Sequence, residues 1–274
     1  MEGRAIGELL YVYAVVPASA RLAPEPTGIG AAPVRLIQEG LIAAAVSPVP
    51  AAEFDDEPLN RLMRDMDWLA PRATAHQTVN AALFERVDAL LPLSFGAVYR
   101  GAGGVRRMLR ERRAELLGRL DAVRGRSEWV ATLQRDAERA GPAAEADDEE
   151  LARLNAEIGT AQPGRAYLLR RRLEEARRAA LTRLDRAATE ALAQGLADVV
   201  ERTHPEPIVQ TTPDAPLARS SLLVHRAREG ALVERGADFA RRWEARGYAL
   251  RLTGPWPPYR FGGEPLERGD ATAI

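Results

Sequence analysis

The sequence has no cysteine and no lysine, and only three histidines in 274 residues. All 38 of its basic residues are therefore arginine. The missing cysteine excludes a disulfide framework, a thiol nucleophile, cysteine-ligated zinc and iron–sulfur clusters. The missing lysine excludes a Schiff base, a pyridoxal-phosphate lysine, a P-loop and a kinase-type catalytic lysine. An excess charge of either sign is missing too, since 38 basic residues face 39 acidic ones. The chain is thus no global polycation built to seek nucleic acid. No apolar run approaches the roughly 20 residues of a membrane span. The run over 41–46, for one, has only strand length. No basic stretch leads into an apolar core and cleavage site at the start, so a cytoplasmic protein is expected. Hydrophobic residues at 46% and charged residues at 28% are globular values.

The patterning predicts an α+β protein of two domains. Leu9 to Pro17 is an unbroken apolar run rich in β-branched and aromatic residues, the mark of a buried strand. A Pro/Gly-rich loop leads to a hairpin over 34–38 and 41–47. Asp55-Asp56-Glu57-Pro58 is a helix-start signal, because acids suit the positive helix N-terminus. Helices are expected over 59–69 and 73–87, parted by Pro71, then a strand over 90–99. Gly101-Ala102-Gly103-Gly104 turns into a helix whose Val105, Met108, Leu109, Leu116, Leu117 and Leu120 form one apolar stripe.

After Gly125 the pattern restarts. A strand is expected over 127–135, then an acidic flexible insert over about 137–163 with a short helix near Leu151. A long helix over 165–201 follows, overhanging the sheet or breaking near Gly195. Strands over 207–212 and 220–226, a helix over 232–246 stopped by Gly247, and a strand over 248–253 complete the order β-α-β-β-α-β. That is the ferredoxin-like order. The expected domains are 1–124, a mixed α+β domain, and 125–274, a ferredoxin-like domain with the acidic insert and an extended C-terminal tail. No internal repeat is visible in the sequence.

No catalytic, cofactor-binding or metal-binding residues are assigned. Gly101-Ala102-Gly103-Gly104-Val105-Arg106 follows a strand, as a dinucleotide fingerprint should, but Arg106 stands where close packing needs the third glycine. Ser94-Phe95-Gly96-Ala97-Val98-Tyr99 echoes an RNA-recognition strand, yet Ala97 stands where a base-stacking aromatic belongs. Gly125-Arg126-Ser127-Glu128-Trp129 fails as a nucleophile elbow at Trp129. His76, His204 and His225 have no partner at ligand or triad spacing and read as ordinary surface or partly buried histidines. A ferredoxin-like RNA-binding or nucleotide-binding enzyme domain is the alternative that these fragments leave.

Charge distribution carries more. Residues 105–126 hold eight arginines against three acids, and residues 165–186 hold the same. Residues 136–157, between them, have eight acids and two arginines. Arg106, Arg107, Arg110 and Arg113 fall off the apolar stripe and should face solvent. A solvated helix face accounts for them; the sharper expectation is a basic partner-binding surface that the acidic insert can screen. Guanidinium is planar and weakly hydrated, so an all-arginine surface can join buried protein contacts.

Four segments together resemble the gas vesicle protein GvpL/GvpF family. They are Leu10-Tyr11-Val12-Tyr13-Ala14-Val15-Val16, His76-Gln77-Thr78-Val79 leading into Leu91-Pro92-Leu93-Ser94-Phe95-Gly96-Ala97-Val98-Tyr99, Pro163-Gly164-Arg165-Ala166-Tyr167-Leu168-Leu169-Arg170-Arg171-Arg172, and Leu252-Thr253-Gly254-Pro255-Trp256-Pro257-Pro258-Tyr259-Arg260-Phe261. Ser94 departs from the pattern, since the family often has arginine there. The resemblance implies a non-enzymatic assembly factor or minor structural component of gas vesicles. Its implied partners are the shell protein and other gas vesicle accessory proteins, with no nucleic acid, membrane, small-molecule substrate or cofactor. Physically, the Gly-Pro-Trp-Pro-Pro-Tyr run cannot form helix, and its prolines remove ladder donors. It should close over the last strand with Trp256 and Tyr259 as anchors. Trp256, Tyr259 and Phe261 join the four arginines as candidate partner-binding residues.

Overall fold

The computed structural model describes residues 8–22, 24–146, 148–208 and 215–262. The chain forms two compact units: one runs up to Glu128 and takes back the segment from Pro255, the other is Trp129–Gly254.

The first unit contains β1 (Leu9–Pro17), β2 (Arg35–Glu39), β3 (Ile42–Val49), α1 (Ala51–Phe54), α2 (Asp56–Leu62), α3 (Met66–Phe84), β4 (Leu91–Pro92), β5 (Val98–Arg100), α4 (Gly101–Glu111) and α5 (Arg113–Val123), and the start of β6 (Arg126–Arg135). Its sheet runs β2-β3-β1-β4, with β5 also on β1, and these pairings are antiparallel. β1 is flanked on both edges and covered on both faces, which is why its sequence is apolar without alternation. Its register against β3 slips between Val12 and Ala14, leaving Tyr13 as the extra residue. The slip shifts the alternation by one: Leu9, Tyr11 and Tyr13, then Ala14 and Val16, share the core that Phe54, Leu59, Val79 and Leu83 complete. α4 packs against β1, β2 and β3.

Three local expectations need correction. The helix break falls at 63–65, where Asp65 caps α3 by accepting from Asp67 and Trp68, and Pro71 is absorbed inside α3. The expected strand over 90–99 is two short strands, because Gly96 turns the chain at φ +90°. The helix after Gly101 breaks at Arg112 into α4 and α5. The acidic helix-start signal holds, with Asp55 capping α2.

The second unit holds the rest of β6, α6 (Ala137–Ala146), α7 (Glu149–Thr160), α8 (Pro163–Leu196), β7 (Val200–Pro205), β8 (Ala218–His225), α9 (Glu229–Trp243) and most of β9 (Tyr248–Trp256). Its sheet runs β7-β8-β6-β9. Both sheets thus place their strands in the order second, third, first, fourth. Gly247 stops the last helical turn at φ +82°, as its position predicts. The expected strand over 207–212 is instead β7, whose Val200 pairs with Val224; residues 209–212 lie outside the described residues.

α8 has 34 residues, about 50 Å at 1.5 Å per residue. Its second half, through Leu184, Ala188, Leu192 and Leu196, packs over the core with Trp129, Leu133, Leu222, Val224, Leu232 and Phe239. Its first half packs instead on the segment expected to be a flexible insert. That segment is two helices. Asp136 accepts from Glu138 and Arg139 at the start of α6, and Asp148 caps α7 by accepting from Leu151. Leu151 and Leu154 then bury against Leu173 and Ala180. Tertiary contact with the overhanging helix supplies the apolar partner that composition alone does not reveal.

Candidate partner-binding surfaces

The polar groups at the centre of the first unit form a buried network. His76 on α3 is 5% exposed, so it is a core residue rather than a surface one. Its Nδ1 meets the Tyr11 hydroxyl at 2.9 Å, and its Nε2 meets the Asn80 amide nitrogen at 2.9 Å. The Tyr13 hydroxyl meets Ser47 Oγ at 2.7 Å and accepts the Ile29 N–H at 2.8 Å. Gly28 is needed there because a Cβ would collide with that hydroxyl. Tyr11, Tyr13, Phe54, Trp68, His76 and Phe95 stack and tilt around one another. Burial lowers the His76 pKa to about 4 and raises that of Tyr11. The ring is neutral near pH 7, with both nitrogens engaged, which suits it to holding α3 on β1. Sequence spacing gave no hint of this network, because its members come from β1, β3 and α3.

The arginine row lies on the outside. Arg106, Arg107 and Arg110 on α4 and Arg113 at the start of α5 are all exposed. Arg110 Nε pairs with Glu39 Oε1 at 3.0 Å; the other three make no ion pair or hydrogen bond among the described residues. The acids of the acidic segment pair with α8: Glu145 with Arg177, Asp148 with Arg183, Glu150 with Arg172 and Glu157 with Arg165.

The C-terminal segment is anchored differently from expectation. Pro257, Pro258, Phe261 and Gly262 are buried, whereas Trp256 is 48% and Tyr259 43% exposed. The Arg260 N–H donates to Glu128 Oε2 at 2.7 Å, the Gly262 N–H donates to the Pro258 carbonyl at 2.8 Å, and Arg119 donates to the Gly262 carbonyl. Burial raises the Tyr259 pKa, and a hydrogen bond with the Asn80 side chain lowers it in part, so the phenol tip faces the histidine network while the ring stays half open. Phe261 is 6% exposed, which corrects its place among candidate contact residues: it is an anchor.

His204 lies on exposed β7, and His225 Nδ1 accepts from the Ala227 N–H. Among the described residues no three His, Asp or Glu side chains are grouped to hold a metal ion, and no helix is long and apolar enough to cross a membrane.

The fold defines a mixed α+β protein built on two antiparallel sheets, each packed with helices. Solved structures of similar shape include the crystal structure of the gas vesicle protein GvpF from Anabaena sp. PCC7120, with TM-score 0.72 at 15% identity over 94% of this chain and 99% of that one. GvpF from Microcystis aeruginosa gives 0.66 at 16% identity, over 95% and 100%. In sequence, the family model for gas vesicle synthesis protein GvpL/GvpF matches residues 9–262. Gas vesicle protein L of Streptomyces sp. (strain CB03234) is 36% identical over 264 residues, 93% of each chain. Gas vesicle protein L2 of Halobacterium salinarum (strain ATCC 700922 / JCM 11081 / NRC-1) is 29% identical over 266 residues, 92% of this chain and 90% of its own. The chain belongs to the GvpL/GvpF family.

Proposed function

We propose that this protein is a non-enzymatic gas vesicle assembly factor or minor structural component, which binds the shell protein and other accessory proteins in the cytoplasm and helps nucleate or organise the vesicle. The observation that carries the reading is the family match along residues 9–262, reinforced by a gas vesicle relative 36% identical over 264 residues. The second unit, with strand order β7-β8-β6-β9, is read as ferredoxin-like, with α6 and α7 inserted before its first crossover helix. Arg106, Arg107 and Arg113 are exposed with no ion pair among the described residues, and Arg110, itself exposed, can exchange its pair with Glu39 at little cost. Trp256 and Tyr259 offer half-open rings on a rigid, buried-proline support, the kind of group that anchors protein interfaces. The test is clean deletion of the gene in a host with no second copy, read by electron microscopy. Vesicles should be absent or malformed; normal vesicles in normal number would contradict the reading.

A further inference from the structure

The first half of α8 carries two apolar faces, and one is already filled. On the inner face, Leu169, Leu173, Ala176 and Ala180 pack with Leu151, Leu154 and Ile158 of α7. Ion pairs rim that seam, with Glu150 to Arg172 at 3.1 Å, Glu157 to Arg165 at 3.5 Å and Asp148 to Arg183 at 2.5 Å. α7 is therefore an acidic amphipathic helix docked on α8, and it shows what chemistry this helix accepts.

The outer face repeats that chemistry, and its large apolar side chains stay exposed among the described residues. Tyr167, Leu168, Arg171 and Arg178 fall on the half of the helix turned away from Leu173 and Ala180, at about 100° per residue. Tyr167 is 62% and Leu168 64% exposed, the one adjacent pair of large exposed apolar side chains among the described residues. The guanidinium groups of Arg171 and Arg178 make no ion pair or hydrogen bond among the described residues, and neither does that of Arg170 at the edge. Glu174 and Glu175 lie between Arg171 and Arg178; Glu174 pairs with Arg177 at 2.8 Å, which leaves Glu175 against Arg170, Arg171 and Arg178, so the unpaired charge of the face is net positive.

We propose that this outer face docks an acidic amphipathic helix of a protein partner, laid along α8 as α7 is on the inner side. Charge complementarity selects the acids, and the Tyr167–Leu168 pair selects apolar residues at helical spacing. A phosphate backbone has no apolar groups for that pair. A bilayer surface needs a broader apolar stripe than one that Arg171, Glu175 and Arg178 continue. The proposal goes beyond the assembly reading and is tested without the shell protein, so either can fail alone.

The experiment uses the full chain and a fluorescent synthetic helix of roughly 20 residues, with leucines at i, i+3, i+4 and i+7 flanked by glutamates, read by anisotropy. The comparison probes are the same peptide with lysine for glutamate, a single-stranded oligonucleotide and anionic phosphatidylserine vesicles. The acidic peptide should bind saturably and the lysine peptide should not. Tyr167→Ala with Leu168→Ala should weaken binding about ten-fold, and Arg171→Glu with Arg178→Glu by about ten-fold or more while conferring affinity for the lysine peptide. All four side chains are exposed, so the circular dichroism and Tm of both variants should match the parent. Absence of acidic-peptide binding would overturn the proposal, as would binding that neither variant changes. Oligonucleotide or vesicle binding that depends on these residues, with no such peptide binding, would overturn it too.

Discussion

The two units share a strand order, second, third, first, fourth, but fill it differently. Between its first and second strands the first unit has a loop with one short turn at Ile29–Ala31, while the second has α6, α7 and α8. The first unit turns its polar groups inward, where Tyr11, Tyr13, Ser47, His76 and Asn80 satisfy one another beneath a continuous apolar sheet. The second turns its charge outward, holding α6 and α7 to α8 through a small aliphatic seam and exposed ion pairs. Exposed pairs contribute about 0–1 kcal/mol each and weaken with salt, whereas a buried neutral network responds to protons instead. The overhang is the part that should open first, and the first unit the part that should feel acid.

The larger effect expected is that of acid on the first unit. The His76 pKa is about 4 in the folded chain against an ordinary 6.5. As pH falls below 6.5 the unfolded chain takes up a proton that the folded chain refuses, so stability is lost with falling pH. The loss should reach about 2 kcal/mol by pH 5 and about 3 kcal/mol by pH 4. Urea unfolding at pH 7 and pH 5, followed by Trp68 fluorescence with phenylalanine in place of the other three tryptophans, measures it, and His76→Gln should flatten the slope between them. An unchanged midpoint in the parent would remove the contrast between the units.

The second effect is smaller and local. Leu154 is 1% exposed in the α6–α7–α8 seam, and Leu154→Ala should remove roughly 2 kcal/mol from that seam. Hydrogen exchange should then accelerate across α6 and α7 while β1 amides stay protected. Equal acceleration in β1 would show that the overhang and the first sheet unfold together.

Where sequence and structure part, the reason is distance along the chain. The β1 run is legible because burial on both faces writes itself into consecutive residues. Gly247 is legible because a left-handed stop favours glycine. α6 and α7 are not, since their acids and Gly141-Pro142 read as solvated chain, and their apolar partners lie on α8. Asp148 followed by Leu151, Leu154 and Ile158 is the capping and spacing signal that identifies α7 as more than a short helix. The His76 network is illegible for the same reason, Tyr11 and His76 being 65 residues apart and Tyr13 and Ser47 34. In the tail, sequence marks a rigid aromatic segment but not which rings are covered. Pro257, Pro258 and Phe261 take the buried side and leave Trp256 and Tyr259 half open.

Direct binding tests the proposed contact with the shell protein most closely. Purified full-length chain should be titrated against shell protein from the same organism, beside the variant Arg106→Glu with Arg107→Glu and Arg113→Glu. Saturable binding is expected of the parent and roughly ten-fold weaker binding of the variant, with superimposable unfolding curves. Absence of binding by the parent, or equal binding by both, would contradict that expectation.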